Sequence, residues 1–299
     1  MYVDVDVLCV GHASYDLIFS VSQHPGADEK IVADSLLSCG GGPAANAAVC
    51  VAKLGLTSAF SGYLGHDLYG DKHFQELNDC AVNTRLIIRG ASPTPLSTLL
   101  VKPDGKRCLI NYKGGTHPLS ADALDFTDVR AKVILFDGHE PFISLPLVKK
   151  ARQSCIPTVL DAGSMHEGTL ALMNHVDYLV CSEKFAGQYA GDERKALSRL
   201  AELAPAVVIT LGERGVIWQR GNEQGELPAY PITAIDTTGA GDAFHGAFAA
   251  ALATGMDWQP LLRYASAAGA LCCTRMGARL GLPDREEHAQ LFNQNIYSG

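Results

Sequence analysis

"DTTGAGDAFHGAFAAALATG", residues 236–255, sets small residues and a carboxylate at the start of an apolar helical pattern. Phe244, Ala247, Phe248 and Ala251 recur at the spacing of one helix face, so a helix begins near 239–242. Free N–H groups and the positive end of the helix dipole gather at such a start. Gly239, Ala240 and Gly241 leave room for an anion to approach them. Asp242, in the first turn beside that anion site, suits a base that takes the proton of an attacking hydroxyl. Other phosphate motifs fail on detail. A dinucleotide fingerprint needs a glycine where Phe244 stands, and neither a Walker P-loop nor Gly-x-Ser-x-Gly occurs.

Outward from this helix, the chain repeatedly follows a short apolar run with a helical pattern. The runs at 4–10, 57–65, 131–138, 157–163, 176–182 and 205–212 read as strands. Residues 39–55, "CGGGPAANAAVCVAKLG", read as a glycine approach and a small-residue helix that Gly55 stops. Two helices are expected over about 241–254 and 258–273, with Gly255 capping the first. The alternation predicts an α/β fold with a central, mostly parallel sheet flanked by helices. Residues 12–39 and 94–116 break it with strand-like stretches, the second folded at "KPDGK", 102–106. They are expected to form a small antiparallel sheet, a lid within one domain spanning 1–299.

Composition narrows the function. The 299 residues are 47% hydrophobic and 19% charged, as in a globular protein. A net charge of −8 argues against nucleic acid or an anionic membrane as partner, so an anionic ligand needs a local site. No run approaches the roughly 20 apolar residues of a membrane span. The N-terminus lacks a basic segment, and Asp4 and Asp6 interrupt it, so a signal peptide is not expected. Nine scattered cysteines without Cys-x-x-Cys point to reduced thiols and a cytoplasmic setting. Ten histidines without His-Glu-x-x-His spacing give no zinc signature.

Taken together, the motifs are specific. With "GGPAAN" at 41–46, "TLGERG" at 210–215, "DTTGAGDAFHGAFA" from 236 and "CTRMGARLGLPD" at 273–284, the chain resembles the PfkB (ribokinase-like) carbohydrate kinases over nearly its whole length. It is similar to the branch containing sulfofructose kinase, which shares the glycine run, an "INY" stretch and the form of the C-terminal motif.

The resemblance implies an ATP-dependent kinase of a sugar hydroxyl. Asp242 is then the base, and Gly239, Ala240 and Gly241 cradle the transferring phosphoryl group. Asp16, Gly41, Gly42 and Asn46 match sugar-binding positions. Thr210, Gly212 and Gly215 match the nucleotide loop, while Asp236 and Thr238 match a monovalent-cation loop, which implies K⁺ as well as Mg²⁺. The family's Asn-x-x-Glu, which organises Mg²⁺, is replaced by "SEKF" at 182–185, leaving Glu183 as the substitute. Lys30, Asn111 and His139 fall where the sulfofructose kinase branch recognises an anionic end, although that branch has an arginine near His139. Asp67 reads as a helix cap, Arg275 and Arg279 as contacts to nucleotide or acidic surface, and Cys272 and Cys273 as core residues.

Two rival readings stay open. A nucleoside kinase of the same fold would use an aromatic lid, and Tyr15, Phe19 and Tyr112 are available. A sugar-binding regulator without catalysis is disfavoured by the intact "GAGD" and weakly favoured by "SEKF". Exposed lid edges suggest a homodimer formed through the lid.

Overall fold

The computed structural model describes residues 2–294. Strand β1 (Val3–Val10) leads into β2 (Ser14–Ser20) and β3 (Ser35–Gly41), then helix α1 (Pro43–Lys53) and β4 (Ser58–Gly65). Next come α2 (Leu68–Asp79), β5 (Asn83–Gly90), β6 (Leu96–Val101) and β7 (Arg107–Tyr112). The chain returns through β8 (Val129–Phe136), α3 (Pro141–Gln153), β9 (Thr158–Ala162) and α4 (Glu167–Leu172). It continues as β10 (Tyr178–Ser182), α5 (Glu183–Ala190), α6 (Glu193–Leu200), β11 (Ala206–Thr210), β12 (Val216–Arg220) and β13 (Glu223–Leu227). Helices α7 (Ala240–Ala253), α8 (Trp258–Cys272), α9 (Ala278–Gly281) and α10 (Arg285–Phe292) close it.

Nine strands form the main sheet in the order β13-β12-β11-β10-β9-β8-β1-β4-β5. Pairing is parallel from β11 through β5, and the last two strands add an antiparallel edge. Alternate residues divide between two cores. Val7, Cys9, Val133 and Leu135 face α1, α7 and α8, whereas Leu8, Val10, Ile134 and Phe136 face α3 to α6. The strand order reverses at β1, between β8 and β4, so a crevice opens beyond the carboxyl ends of β1 and β8. Helices α1 and α7 cross closely there. A Cβ added at Gly246 would lie 2.7 Å from the Ala47 carbonyl, so only small residues permit this approach.

The lid is a separate four-stranded sheet, β3-β2-β6-β7, over a small core of Ile18, Cys39, Leu99 and Val101. It corrects the antiparallel expectation, because β2 and β6 pair in parallel. Both strands leave the main sheet after parallel strands, β1 and β5, and therefore run outward in the same sense. A second correction concerns α7. Residues 243–251 are buried all round rather than along one stripe, because the helix lies between the sheet and its neighbours α1 and α8. Among the described residues no helix is long and apolar enough to cross a membrane.

Candidate active site

Helix α7 begins at Gly239, whose φ of 78° would strain any other residue and whose added Cβ would meet the Ala278 Cβ at 2.4 Å. The first N–H groups of a helix have no partner within it. Ala240 N–H lies 3.4 Å from the Thr237 carbonyl, and a Cβ at Gly241 would meet nothing within 4 Å, so there is room for an anion at this helix start.

Asp242 stands one residue further, half-buried, and its Oδ2 accepts from Asn46 Nδ2 at 2.7 Å. Burial pushes its carboxyl above the ordinary range, while the Asn46 bond and the charges of His245 and Arg279 pull it down. Beneath it, buried His245 presents Nδ1 to the Gly241 carbonyl at 2.6 Å and Nε2 to the Val180 carbonyl at 3.2 Å. The Asp161 carboxylate lies 3.3 Å from the same Nδ1, and burial raises its pKa to about 7.

Opposite Asp242, the lid presents Asp16, which is 6% exposed and accepts from Ser14 Oγ at 2.9 Å. Burial raises its pKa to about 6, and the Asp242 charge adds to the rise. A Cβ at Gly41 would sit 2.2 Å from the Asp16 carboxylate, and one at Gly42 2.5 Å from the His12 carbonyl. The glycine run thus lets the chain pass against both. Asp16, Ser97 and Asn111 are register partners across β2, β6 and β7, and Ser97 Oγ donates to Asn111 Oδ1 at 3.0 Å. Two strand spacings place Asn111 roughly 10 Å from Asp16. His139 stacks on His166 at 4.5 Å between ring centroids and lies 5.1 Å from His12. Lys30 is exposed in the loop joining β2 and β3.

On the other side of α7, Thr210 ends β11, Gly212 opens a single 3₁₀ turn and Gly215 follows at φ 86°. A Cβ at Gly215 would meet the Leu227 carbonyl at 2.0 Å, so this turn is held close against β13. Glu183 starts α5 and pairs with Arg214 at 2.8 Å. Ser182 caps that helix by accepting from Phe185 N–H. Asp236 is fully buried at its carboxylate: Oδ1 accepts from Thr238 N–H at 2.9 Å and Thr238 Oγ1 at 2.6 Å, and Oδ2 from Gly277 N–H at 2.8 Å. It therefore straps together the loops before α7 and α9.

Three residues escape the sequence reading of this site, and a fourth is corrected. Asp137 accepts from the backbone of His12, Ala44 and His139, and so joins the ends of β1 and β8 to α1. Its only signal is a carboxylate at the end of a buried strand. Arg107 reaches from the lid to the Asp236 loop, and His245 lies hidden in an apolar helix. Arg279 is a correction. It is buried against Asn46, His73 and Glu76, not turned to nucleotide or acidic surface, because the small residues around it let the chain turn inward. Arg275 does meet an acidic surface group, Glu287, and Asp67 does cap α2 by accepting from Gly70 N–H. Cys272 is buried and Cys273 half-buried, with burial pushing both thiols up.

Known proteins resemble the chain along almost its whole length. The chain is 29% identical over 293 residues to ribokinase of Bacillus subtilis (strain 168), covering 96% of this chain and 99% of that one. It is also 29% identical over 290 residues to probable fructokinase-5 of Arabidopsis thaliana, covering 86% and 89%. Its fold superposes with a TM-score of 0.85 on the structure of Arabidopsis thaliana ribokinase complexed with ribose and ATP. That comparison is at 27% identity and covers 98% of this chain and all of the other. The family model for "pfkB family carbohydrate kinase" matches residues 4–285, nearly the whole chain. The chain belongs to that family of carbohydrate kinases.

Proposed function

We propose that the protein transfers the γ-phosphoryl group of ATP to a hydroxyl of a sugar held between Asp16 and Asp242. One observation carries the reading: the Asp242 carboxylate, fixed by Asn46 at 2.7 Å, stands beside the open N-terminus of α7. Asp242 accepts the hydroxyl proton as the oxygen attacks, while the N–H groups of the 239–241 stretch meet the charge on the phosphoryl group. Asp16 and Asn46 hold neighbouring sugar hydroxyls, and Gly41 and Gly42 let the sugar approach the backbone. Thr210, Gly212 and Gly215 border the nucleotide. Closure of the lid keeps water from the phosphoryl group.

Mg²⁺ would arrive with the nucleotide, held by phosphates and water, and would neutralise their charge. Glu183 would reach its water shell only by leaving the ion pair with Arg214. A K⁺ ion would rest on other oxygens of the 236–238 and 273–281 loops, since the Asp236 carboxylate is engaged by Thr238 and Gly277. The exposed apolar residues Leu36, Leu109, Ile110 and Tyr112 on the lid support a homodimer formed through it. Nine unpaired cysteines accord with a cytoplasmic setting.

Two finer readings of the acceptor remain. An acidic sugar, sulfonate included, is favoured by Asn111 in register with Asp16 and by Lys30, exposed in the β2–β3 loop of the lid. A nucleoside is favoured only by the Tyr15–Tyr69 ring pair at 5.4 Å. The deciding experiment measures ATP-dependent phosphorylation across D-ribose, D-fructose, their carboxylate and sulfonate derivatives, and nucleosides. Absence of phosphorylation, with sugar binding intact by thermal shift, would favour a regulator that binds without catalysis.

A further inference from the structure

Arg279, the second residue of α9, is 4% exposed, and its guanidinium enters the junction of α1, α2 and the lid strand β3. A guanidinium only donates. Its Nε lies 3.3 Å from Asn46 Oδ1, so that oxygen accepts, and the Asn46 Nδ2 is left to donate to Asp242 Oδ2 at 2.7 Å. Turning the Asn46 amide over would set its oxygen against the carboxylate and its NH₂ against the guanidinium. Both contacts would then be repulsive. Nη2 lies 3.1 Å from His73 Nε2, which therefore accepts and leaves that imidazole neutral. Burial and the Arg279 charge hold His73 well below its ordinary range, in agreement.

The charge of Arg279 needs a counterpart. Glu76, the carboxylate paired with it, is 3.9 Å away and also accepts from Gly40 N–H at 2.6 Å. That separation is beyond hydrogen-bonding distance, and a buried guanidinium is costly without opposing charge. The carboxylates it faces across the pocket are Asp16 and Asp242, both of which respond to its field. The groups acting on Asp242 are Asp137 from the β8 end, His245 on its own helix, and Arg279 of α9, together with the Asn46 amide of α1. Asp16 of β2 and Asp161 of β9 are coupled to it as well.

We propose that Arg279 is a positioning residue for phosphoryl transfer: it fixes the Asn46 amide in the orientation that serves the base and supplies the buried positive charge facing Asp16 and Asp242. The proposal rests on the reading of Asp242 as the base.

The test is kcat and kcat/KM against pH, with ATP and the best acceptor of the panel above, for wild type, Arg279→Gln, Arg279→Lys and Asp242→Asn. Arg279→Gln is expected to lose about tenfold to a hundredfold in kcat, the scale of a misplaced catalytic group. Its acid limb should move to higher pH, since a lost neighbouring cation disfavours the ionised carboxylates, while KM for ATP stays within about twofold. Arg279→Lys keeps the charge but cannot serve Asn46 and His73 in one plane, so it should keep the limb and lose about fivefold or more in kcat. If Arg279→Gln fails to fold, Arg279→Lys decides alone, and a kcat within about twofold of wild type overturns the proposal. Variants that change only KM for ATP or thermal stability, with the limb unmoved, also overturn it. Near-normal turnover by Asp242→Asn would instead sink the base reading. An inactive Asp242→Asn beside unaffected Arg279 variants would sink this inference alone.

Discussion

Arg107 of the lid donates to Thr238 Oγ1 at 2.8 Å, one residue before the glycine that opens α7. The same Nη1 lies 3.1 Å from Thr237 Oγ1 and 3.5 Å from the buried Asp236 carboxylate. A single lid cation thus latches onto the loop that shapes the anion site. Its side chain is 35% exposed, so water screens the latch and its share of stability is small. Arg107→Ala is expected to change Tm by less than about 2 °C. It should raise KM for ATP by roughly threefold to tenfold, the effect of a charge-assisted hydrogen bond at a half-open site. Kinetics identical to wild type would mean that the latch has no part in nucleotide binding.

Asp242→Asn keeps the shape of the side chain and its contact with Asn46 but cannot accept a proton. Turnover should drop about 10²-fold or more, the contribution of a positioned base. Burial already disfavours the charged carboxylate, so a neutral amide there should leave Tm unchanged or slightly higher. Calorimetry beside steady-state kinetics reads both effects. A variant with normal turnover would remove Asp242 from the mechanism.

Much of this was legible in the sequence, for reasons that can be stated residue by residue. Gly239, Gly241 and Asp242 declare themselves because an anion site at a helix start is built from neighbouring residues. The β1–α1 and β4 pattern reads clearly because buried strands and small-residue helices differ in period. Arg279 and Asn46 meet across 233 positions, and Arg107 and Thr238 across 131, so no local pattern announces either pair. The parallel pairing of β2 with β6 was hidden for the same reason. Strand direction there is decided by where β1 and β5 exit the main sheet, a property of topology rather than of the lid's own residues.

Glu140 offers a pH test that leaves Asp242 untouched. It is buried at the start of α3, its Oε2 accepts from Leu119 N–H at 2.6 Å, and burial raises its pKa from 4.5 to about 7. The folded state therefore binds this proton more tightly than the unfolded chain does. Its contribution to stability is fully present below about pH 4.5 and is lost as pH rises through about 7. Glu140→Gln can still accept from Leu119 and does not titrate. The Tm of the variant minus that of wild type should grow between these pH values and level off above them. A difference independent of pH would show that Glu140 is ionised at its ordinary value.

Potassium should activate more than sodium. Asp236 draws the 236–238 loop against Gly277, and a cation bound between those loops would stiffen the anion site without touching the sugar. The comparison is kcat in potassium, sodium and a bulky organic cation at one ionic strength. Equal rates would leave the Asp236 strap as a hydrogen-bonded device that needs no ion.

Substrate charge separates the two kinds of sugar acceptor. With a net charge of −8, the protein repels an anionic sugar unless local cations compensate. Asn111 stands two strands from Asp16, where the far end of a sugar would extend, but its amide carries no charge. Lys30, exposed in the β2–β3 loop, is a lid cation that can swing toward that end on closure. From the body, burial and the neighbouring His139 hold His12 and His166 at about 3 and about 4, so these two imidazoles bring no charge near neutral pH. Lys30 shares the fixed positive charge on this side with Lys113, which follows β7 and acts on His12 and His166. Lys30→Ala should raise KM for a carboxylate or sulfonate sugar by roughly tenfold to a hundredfold, matching the ~1.5–3 kcal/mol of a charged hydrogen bond. For the neutral counterpart the change should stay within about twofold. Equal effects on both sugars, or a wild-type preference for the neutral one, would return Lys30 to a solvated loop and the acceptor to an uncharged sugar.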